Sequence, residues 1–409
     1  MNNNYDIVIA GGGMVGASLA CSLIEHQDLR VALVETVPPK ADQQPSYDDR
    51  GLALSMSSRR IMEKIGVWPE VAANACAIKQ IHVSDRGHFG FVRLHASDLD
   101  VDALGHVVIA RELGQALMQK LTRAPNIDFI CPAEVGEITV EYNGISIGLA
   151  GEDPAQRLSA KLLVAADGSH SKIRQQLGIA ALVKDYQQTA IVTNVTVERP
   201  HNNTAFERFT ETGPIALLPL DGNRCVLVYT VPTGEADACM QLEKEDFLEL
   251  LQQRFGKRLG RFCKLGALKP YPLKLIESQE QVASRVVLLG NSAHTIHPNG
   301  AQGFNLCLRD VAALSEHLVA AHGDGYDLGD RKILDQYLAS RQGDQQRVMQ
   351  FSDRLAELFY NRKFSRIMLR NTGMLLTDVI PSVKRELIRR AMGIGGRQPA
   401  MVSGNAGQS

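Results

Sequence analysis

The sequence predicts an α/β chain: a parallel sheet of strand, turn and helix units, interrupted by a mostly antiparallel β-sheet domain and followed by a helical C-terminal region. Three observations carry this. An apolar run at 5–10, a glycine turn at 11–16, a helix-like stretch at 17–23 and a second apolar run at 30–35 read as strand, turn, helix, strand. The plan of apolar run into glycine turn returns at 161–168 and at 285–294, so the chain rejoins its first sheet twice. Between the returns, stretches such as Cys225-Val226-Leu227-Val228-Tyr229-Thr230-Val231 alternate in polarity, as half-buried antiparallel strands do.

At 409 residues the chain is too long for one ordinary core. The reading gives a discontinuous first domain at 1–75, 101–178 and 279–345, an inserted sheet domain at 76–100 and 179–278, and C-terminal helices at 346–394. Helical periodicity covers 299–318 and 337–358. From 395 to 409 the composition turns to Gly, Pro, Ser and Gln, which predicts a disordered tail.

Composition excludes several functions. The formal net charge is −1 with no block of like charges, so no basic footprint for nucleic acid exists. No secretory signal opens the chain, and no apolar run reaches the ~18 residues of a membrane-spanning helix, so a cytoplasmic protein is expected. The seven cysteines are scattered without a C-x-x-C pair, against a disulfide framework or zinc site. Each reads as a small buried apolar residue.

The first turn is the strongest motif. Gly11 permits a tight turn, Gly13 lets the backbone approach a pyrophosphate, and Gly16 lets the helix pack closely on the sheet. The helix start at Met14 and Val15 offers free N–H groups and a positive dipole end to phosphates. Glu35 ends the second strand about 20 residues on, where an acid hydrogen-bonds ribose hydroxyls. The first domain is therefore Rossmann-like and dinucleotide-binding. No second fingerprint of this kind follows a strand, so a second dinucleotide would have no Rossmann domain of its own.

With Asp167-Gly168 and Gly290-Asn291, the three glycine stations resemble those of the class A flavoprotein aromatic hydroxylases, the type related to para-hydroxybenzoate hydroxylase. That family carries Asp where Asn291 stands, and an amide carbonyl accepts the same hydrogen bond from a ribityl hydroxyl. The stretches Asp48-Asp49-Arg50-Gly51-Leu52-Ala53-Leu54-Ser55, Ala205-Phe206-Glu207-Arg208-Phe209-Thr210 and His297-Pro298-Asn299-Gly300-Ala301-Gln302-Gly303-Phe304-Asn305-Leu306 narrow the resemblance to ubiquinone-biosynthesis hydroxylases. Val83-Ser84-Asp85-Arg86-Gly87-His88 and residues 213–220 narrow it further, to those acting on a 6-methoxyphenol.

The resemblance implies FAD in the first domain and NAD(P)H as co-substrate. Arg50 and Arg111 resemble cofactor-contacting arginines, with a solvated surface role as the alternative for Arg50. Asp167 reads either as a cofactor ligand or as a strand-to-helix structural element. In the late loop, Pro298 fixes the backbone while Gly300 and Gly303 permit close approach to a flat ring. The helix start near Gln302 to Asn305, with Gly303 and Phe304 between them, would aim N–H groups at the flavin, favouring its anionic reduced form. His297 and Pro298 lie near the flavin in this reading. His294 and His297 lack a third ligand, so no metal is expected.

The implied reaction starts with reduction of the flavin by NAD(P)H and ends with transfer of one oxygen atom from O2 to a phenol ring. The implied substrate is 2-polyprenyl-6-methoxyphenol, hydroxylated to the 1,4-benzoquinol. A sister activity at another ring carbon, a flavin reductase acting on a prenyl lipid without oxygen chemistry, or an FAD-binding scaffold subunit among other ubiquinone-biosynthesis proteins are the alternatives. A prenyl tail calls for access to a membrane. The basic and apolar C-terminal helices either lie on a lipid surface, as a peripheral contact at the inner membrane, or pack on the FAD domain, the reading we prefer. Tyr271-Pro272-Leu273 and Phe206 to Phe209 are expected in the sheet that roofs the substrate, or simply in its core.

Overall fold

The computed structural model describes residues 3–38, 48–150, 157–360, 364–395 and 398–403. Its first sheet runs in the order Val282–Ala283, Val286–Leu288, Arg157–Ala165, Asn4–Ala10, Val31–Val34, Ile127–Ile130, and all but the first of these pairings are parallel. The unbroken apolar runs reflect burial on both faces. Ile7, Ile9, Leu33, Leu162 and Val164 point to one core, and Val8, Ala32, Val34, Leu163 and Ala165 to another. The helices Met14–Ser22 and Gln302–Gly323 pack on the first face. The second face is covered through the antiparallel strands Glu134–Val140 and Ile145–Ala150.

The second sheet has nine strands, mostly antiparallel, with its long strand Ala181–Val197 paired to Arg224–Pro232 and Lys269–Ser278. Thr204–Phe209 runs parallel to Gln80–Asp85 near the far edge. The helices Thr233–Met240 and Lys244–Phe255 bury its outer face around Phe206, Tyr229, Phe247 and Phe255. A three-stranded sheet of Gly51–Ser55, Gly105–Ile109 and Cys76–Ile78 fills the seam, where Ile78 and Val107 pack with Ala205 and Val226. Cys76–Ile78 thus pairs with a strand of the first domain's expected span, and His294–Thr295 pairs with Lys269–Ser278 of the second sheet.

The late helices run longer than their periodicity indicated, over Gln302–Gly323 and Arg331–Tyr360. A buried network fastens them: Asp310 binds His294 Nε2 and Arg341 Nε, each at 2.6 Å, while Asp344 binds Arg309 and Arg341 at 2.8 and 2.7 Å. The C-terminal pair Phe364–Val379 and Pro381–Ala391 packs on the edge of the second sheet and also reaches the first domain, where Ser57 N–H donates to the Met392 carbonyl at 3.1 Å and Gln302 Nε2 to the Ala391 carbonyl at 3.4 Å. Met374, Ile388 and Met392 pack on Val92 and Leu94 of the edge strand Phe91–His95, which shields that edge. Gly90 makes the approach possible: its N–H donates to Asn371 Oδ1 at 2.6 Å, and a Cβ there would lie 2.3 Å from that oxygen.

Within the tail expected to be disordered, Ala400–Ser403 forms a helical turn with Val402 buried, and 396–397 and 404–409 lie outside the described residues. All seven cysteines are free; Cys21, Cys225, Cys239 and Cys307 are buried, whereas Cys263 is exposed, contrary to its expected burial.

Candidate active site

The three glycine stations meet at the C-terminal ends of the central parallel strands. Gly11 has φ +105°, and a Cβ on it would lie 2.4 Å from the Ala166 carbonyl oxygen, so the first turn abuts the Asp167-Gly168 turn. A Cβ on Gly16 would lie 1.9 Å from the Gly11 oxygen, which is why the helix can sit so close to the turn. Gly290, at φ +66°, leaves no room against Val15, whose Cγ1 would be 2.9 Å from an added Cβ. Buried Arg174 ties the second and third stations, donating to the Ser292 and Ser169 carbonyls at 2.8 and 3.1 Å.

This cradle carries charge complementarity. No side chain caps the helix Met14–Ser22 and no acid stands in its first turn, which leaves its N–H groups and dipole available to a phosphate. Gly13 is extended at that start. Glu35 comes off Val31–Val34 with Oε2 accepting from Gly12 N–H at 2.6 Å and Oε1 from Val37 N–H at 2.8 Å. Asp167 accepts at Oδ2 from Ile173 N–H, 3.3 Å, while its buried Oδ1 has no partner among the described residues. It therefore supports a helix start and keeps an acceptor free for a ligand. Exposed Asn291 touches Cys307 Sγ through its carbonyl oxygen, at 3.8 Å.

The late loop reaches the same place from the other end of the chain. Pro298 (φ −71°) leads into Gly300 and Ala301, both left-handed at φ +67° and +52°, and these reverse the chain into Gln302–Gly323. That helix start also lacks a side-chain cap and a first-turn acid. Around Gly300 the space is open, with only Gln302 Cγ at 4.0 Å from an added Cβ; Gly303 has ordinary clearance, 3.7 Å from Ile296. Asn305 locks the loop to Gly51–Ser55, accepting from Ser55 N–H and donating to the Ala53 carbonyl, each at 2.8 Å. Phe304 and Val15 pack on one shared core.

His297 is buried with its ring edge-on to Tyr186 and Nε2 unpartnered among the described residues. Burial pushes its pKa down to about 4, so the imidazole is neutral at pH 7. His294 is committed to Asp310. Arg50 binds Asp48 at 2.9 Å and lies over the Tyr271 ring, and Arg111 pairs with Asp49. The two arginines are therefore neighbours through adjacent acids, beside the open end of the strand Gly51–Ser55. Burial raises the Asp48 carboxyl, but Arg50 and the Tyr271 hydroxyl hold it below its ordinary value.

One functional group was not assigned from sequence. Along Thr204–Phe209 the side chains alternate: Phe206 packs outward on Phe255, so Ala205, Glu207 and Phe209 turn inward. Glu207 stands opposite Ala216 and accepts a hydrogen bond from the Gly300 main chain. Burial pushes its carboxyl up to about 7, against the downward pull of that bond. Phe209 stacks on Phe359 at the side of the same space. A carboxyl poised near neutrality in an apolar face, against an open loop, is suited to accept a proton. Its signal was a lone acid in an apolar alternating run.

A Rossmann-like sheet, a glycine cradle and an antiparallel roof define the fold of the class A flavin-dependent aromatic hydroxylases. Structurally, p-nitrophenol 4-monooxygenase of Pseudomonas putida superposes with a TM-score of 0.80 at 18% identity, over 97% of this chain and 100% of the other. The chain belongs to the family described as FAD binding domain, whose model matches residues 4–352, and within it to the ubiquinone-biosynthesis flavoprotein hydroxylases. It is similar to ubiquinone hydroxylase UbiL of Rhodospirillum rubrum, 34% identical over 98% of this chain and 92% of the relative. It is likewise similar to 3-demethoxyubiquinol 3-hydroxylase of Escherichia coli, 30% identical over 96% and 100%. The chain is an FAD-dependent monooxygenase of the ubiquinone pathway, with NAD(P)H as co-substrate.

Proposed function

We propose that this enzyme hydroxylates 2-polyprenyl-6-methoxyphenol to the 1,4-benzoquinol. The observation that carries phenol chemistry is the placement of Glu207 over the Gly300 loop. Residues 83–88 and 213–220 support the 6-methoxyphenol as the ring. The second reading, attack at another ring carbon, is favoured by the 30% identity to 3-demethoxyubiquinol 3-hydroxylase.

FAD fits the residues present: Gly11, Gly16 and Gly290 leave a cradle that side chains would fill, and Asp167 Oδ1 lacks a partner. In this reading the Met14–Ser22 helix start, with Gly13, Met14 and Val15, would hold the diphosphate, Glu35 would hold the adenosine ribose, and Asp167 and Asn291 would hold the ribityl side. Arg50 and Arg111, paired with Asp48 and Asp49, would lie near the phosphates, while Gly300, Gly303, Phe304 and Asn305 would seat the ring near His297 and Pro298. Bound FAD supplies the reduction by NAD(P)H and the activation of O2.

The chain does the rest. The uncapped start of Gln302–Gly323 would favour negative charge on a ring seated there. Glu207 takes the proton of the substrate hydroxyl, which makes the phenol ring electron-rich for oxygen transfer. Ala205, Phe209 and the neighbouring apolar face exclude water. In the same reading, exposed Leu369, Leu376, Val379 and Val383 contact the lipid that carries the prenyl tail, as a peripheral contact at the inner membrane. Among the described residues no helix is long and apolar enough to cross a membrane.

The quinone precursor that accumulates in a deletion strain, identified by mass spectrometry, tests the ring position. Accumulated 2-polyprenyl-6-methoxyphenol supports the first reading, and accumulated demethoxyubiquinol supports the second. Oxygen uptake matched to NAD(P)H and product separates both from a scaffold.

A further inference from the structure

We propose that the outer side of the second sheet, turned away from the Gly300 loop, carries an anion pocket for a phosphate-bearing ligand. The strand register builds it. Because Glu207 turns inward, Arg208 turns outward. Arg208 lies beside Ser84 in the parallel pair, and His82 faces Arg93 in the adjoining antiparallel pair. Arg258, on the loop after Lys244–Phe255, completes a cavity of 380 Å³. That volume is at the lower end of small-ligand sites.

The charges within it do not balance. Asp85 is paired with Arg370 at 2.7 Å, contacts His88 Nδ1 at 3.2 Å and accepts a hydrogen bond from Asn371 at 2.9 Å, and Arg93 is paired with Asp378 at 3.2 Å. Arg208 and Arg258 have no ion pair among the described residues, and the buried Arg208 Nε has no hydrogen bond. His82 is only 5% exposed, lines the cavity, and neither ring nitrogen has a partner among the described residues. Burial pushes the pKa of His82 down to about 4, and the surrounding arginines push the same way.

Unpartnered donors on a wall with two unpaired guanidiniums call for an anion. Planar guanidinium forks match phosphate oxygens in pairs, and the like charges relieve each other only through a ligand of opposite sign. Phe89, 51% exposed at the rim, offers an apolar surface to whatever carries the phosphate. That carrier is a soluble nucleotide or a lipid.

Binding to the FAD-loaded enzyme separates these sources. One arm titrates 2′-AMP by calorimetry, and the other measures co-sedimentation with phosphatidylcholine vesicles with and without phosphatidic acid. The variants are Arg258→Ala, at an exposed side chain, and the double variant Arg208→Met with Arg258→Ala, checked by flavin content and far-ultraviolet circular dichroism. We expect one probe to bind the parent, to bind Arg258→Ala several-fold more weakly, and to bind the double variant at least tenfold more weakly with flavin content unchanged. Loss in the 2′-AMP arm identifies a nucleotide phosphate, and loss in the vesicle arm a lipid headgroup. Absence of binding by both probes, or equal binding by parent and Arg258→Ala, overturns the proposal.

Discussion

Glu207 and Gly300 meet across the boundary between the two sheets: a carboxyl from the roof accepts a hydrogen bond from the main chain of the loop that leads into Gln302–Gly323. The contact joins the strand Thr204–Phe209 to the late loop, two segments that no shared local motif relates. It also sets a group of pKa about 7 against the open space around Gly300, the position proposed for the phenol.

Glu207→Gln separates catalysis from stability. The parent's kcat/KM should rise with pH through about 7 as Glu207 ionises, and the variant should lose that limb and about a hundredfold or more in rate. For folding the sign is opposite. A carboxyl raised from 4.5 to about 7 contributes stability that is full below pH 4.5 and is lost as pH climbs through 7. At pH 8 the variant should therefore be the more stable, by up to roughly 3 kcal/mol. A slower variant that also melts earlier at pH 8 would mark Glu207 as merely structural.

Gly16→Ala should strip the flavin. Its Cβ would stand 1.9 Å from the Gly11 carbonyl, a backbone atom that cannot swing aside. The helix start must retreat, and the flavin-to-protein ratio should fall below about a tenth of the parent's while circular dichroism stays α/β. Gly343→Ala, with nothing within 4 Å of its Cβ, is the control and should stay fully yellow. Equal flavin content in both would count against the cradle.

Asp310 holds Arg341 and His294 in a dry interior. Burial opposes its ionisation, but Arg341 and His294 bring its pKa down to about 2. Its contribution is full above pH ~4 and is lost as pH falls through about 2. Asp310→Ala leaves the Arg341 charge short of a partner and should cost about 3–5 kcal/mol in denaturant unfolding at pH 7. Asp310→Leu with Arg341→Met should recover most of that loss, and failure to recover would assign the network a role beyond charge balance.

Leu369→Glu with Val379→Glu tests the lipid contact. Both side chains are about 70% exposed, at 70% and 73%, so folding should change by less than ~0.5 kcal/mol. Flotation with anionic vesicles should drop several-fold while turnover of a short-chain phenol is kept. Unchanged flotation would remove these helices from the membrane account.

How much of this was legible follows from what each feature depends on. The glycine stations were legible because left-handed φ at Gly11 and Gly290 and the tight seat of Gly16 are local demands that only glycine meets. The two sheets were legible from unbroken against alternating apolar runs. Glu207 was not, since alternation separates it from Arg208 without saying which side meets the first domain. The C-terminal helices showed an apolar stripe but not its partner, and Gly90, which admits Asn371 to the sheet edge, reads locally as just another turn residue. The late helix begins at Gln302, where its start was expected, while the helical periodicity from 299 ran across Gly300 and Ala301, which are left-handed.

Diffraction from crystals of the FAD complex tests the central claim most directly. The account predicts continuous density from an adenosine ribose on Glu35, through a diphosphate at Gly13 and Met14, to an isoalloxazine ring lying on Gly300 to Asn305 beneath Glu207. Density placing the ring away from that loop, or the adenosine half away from Glu35, would contradict it.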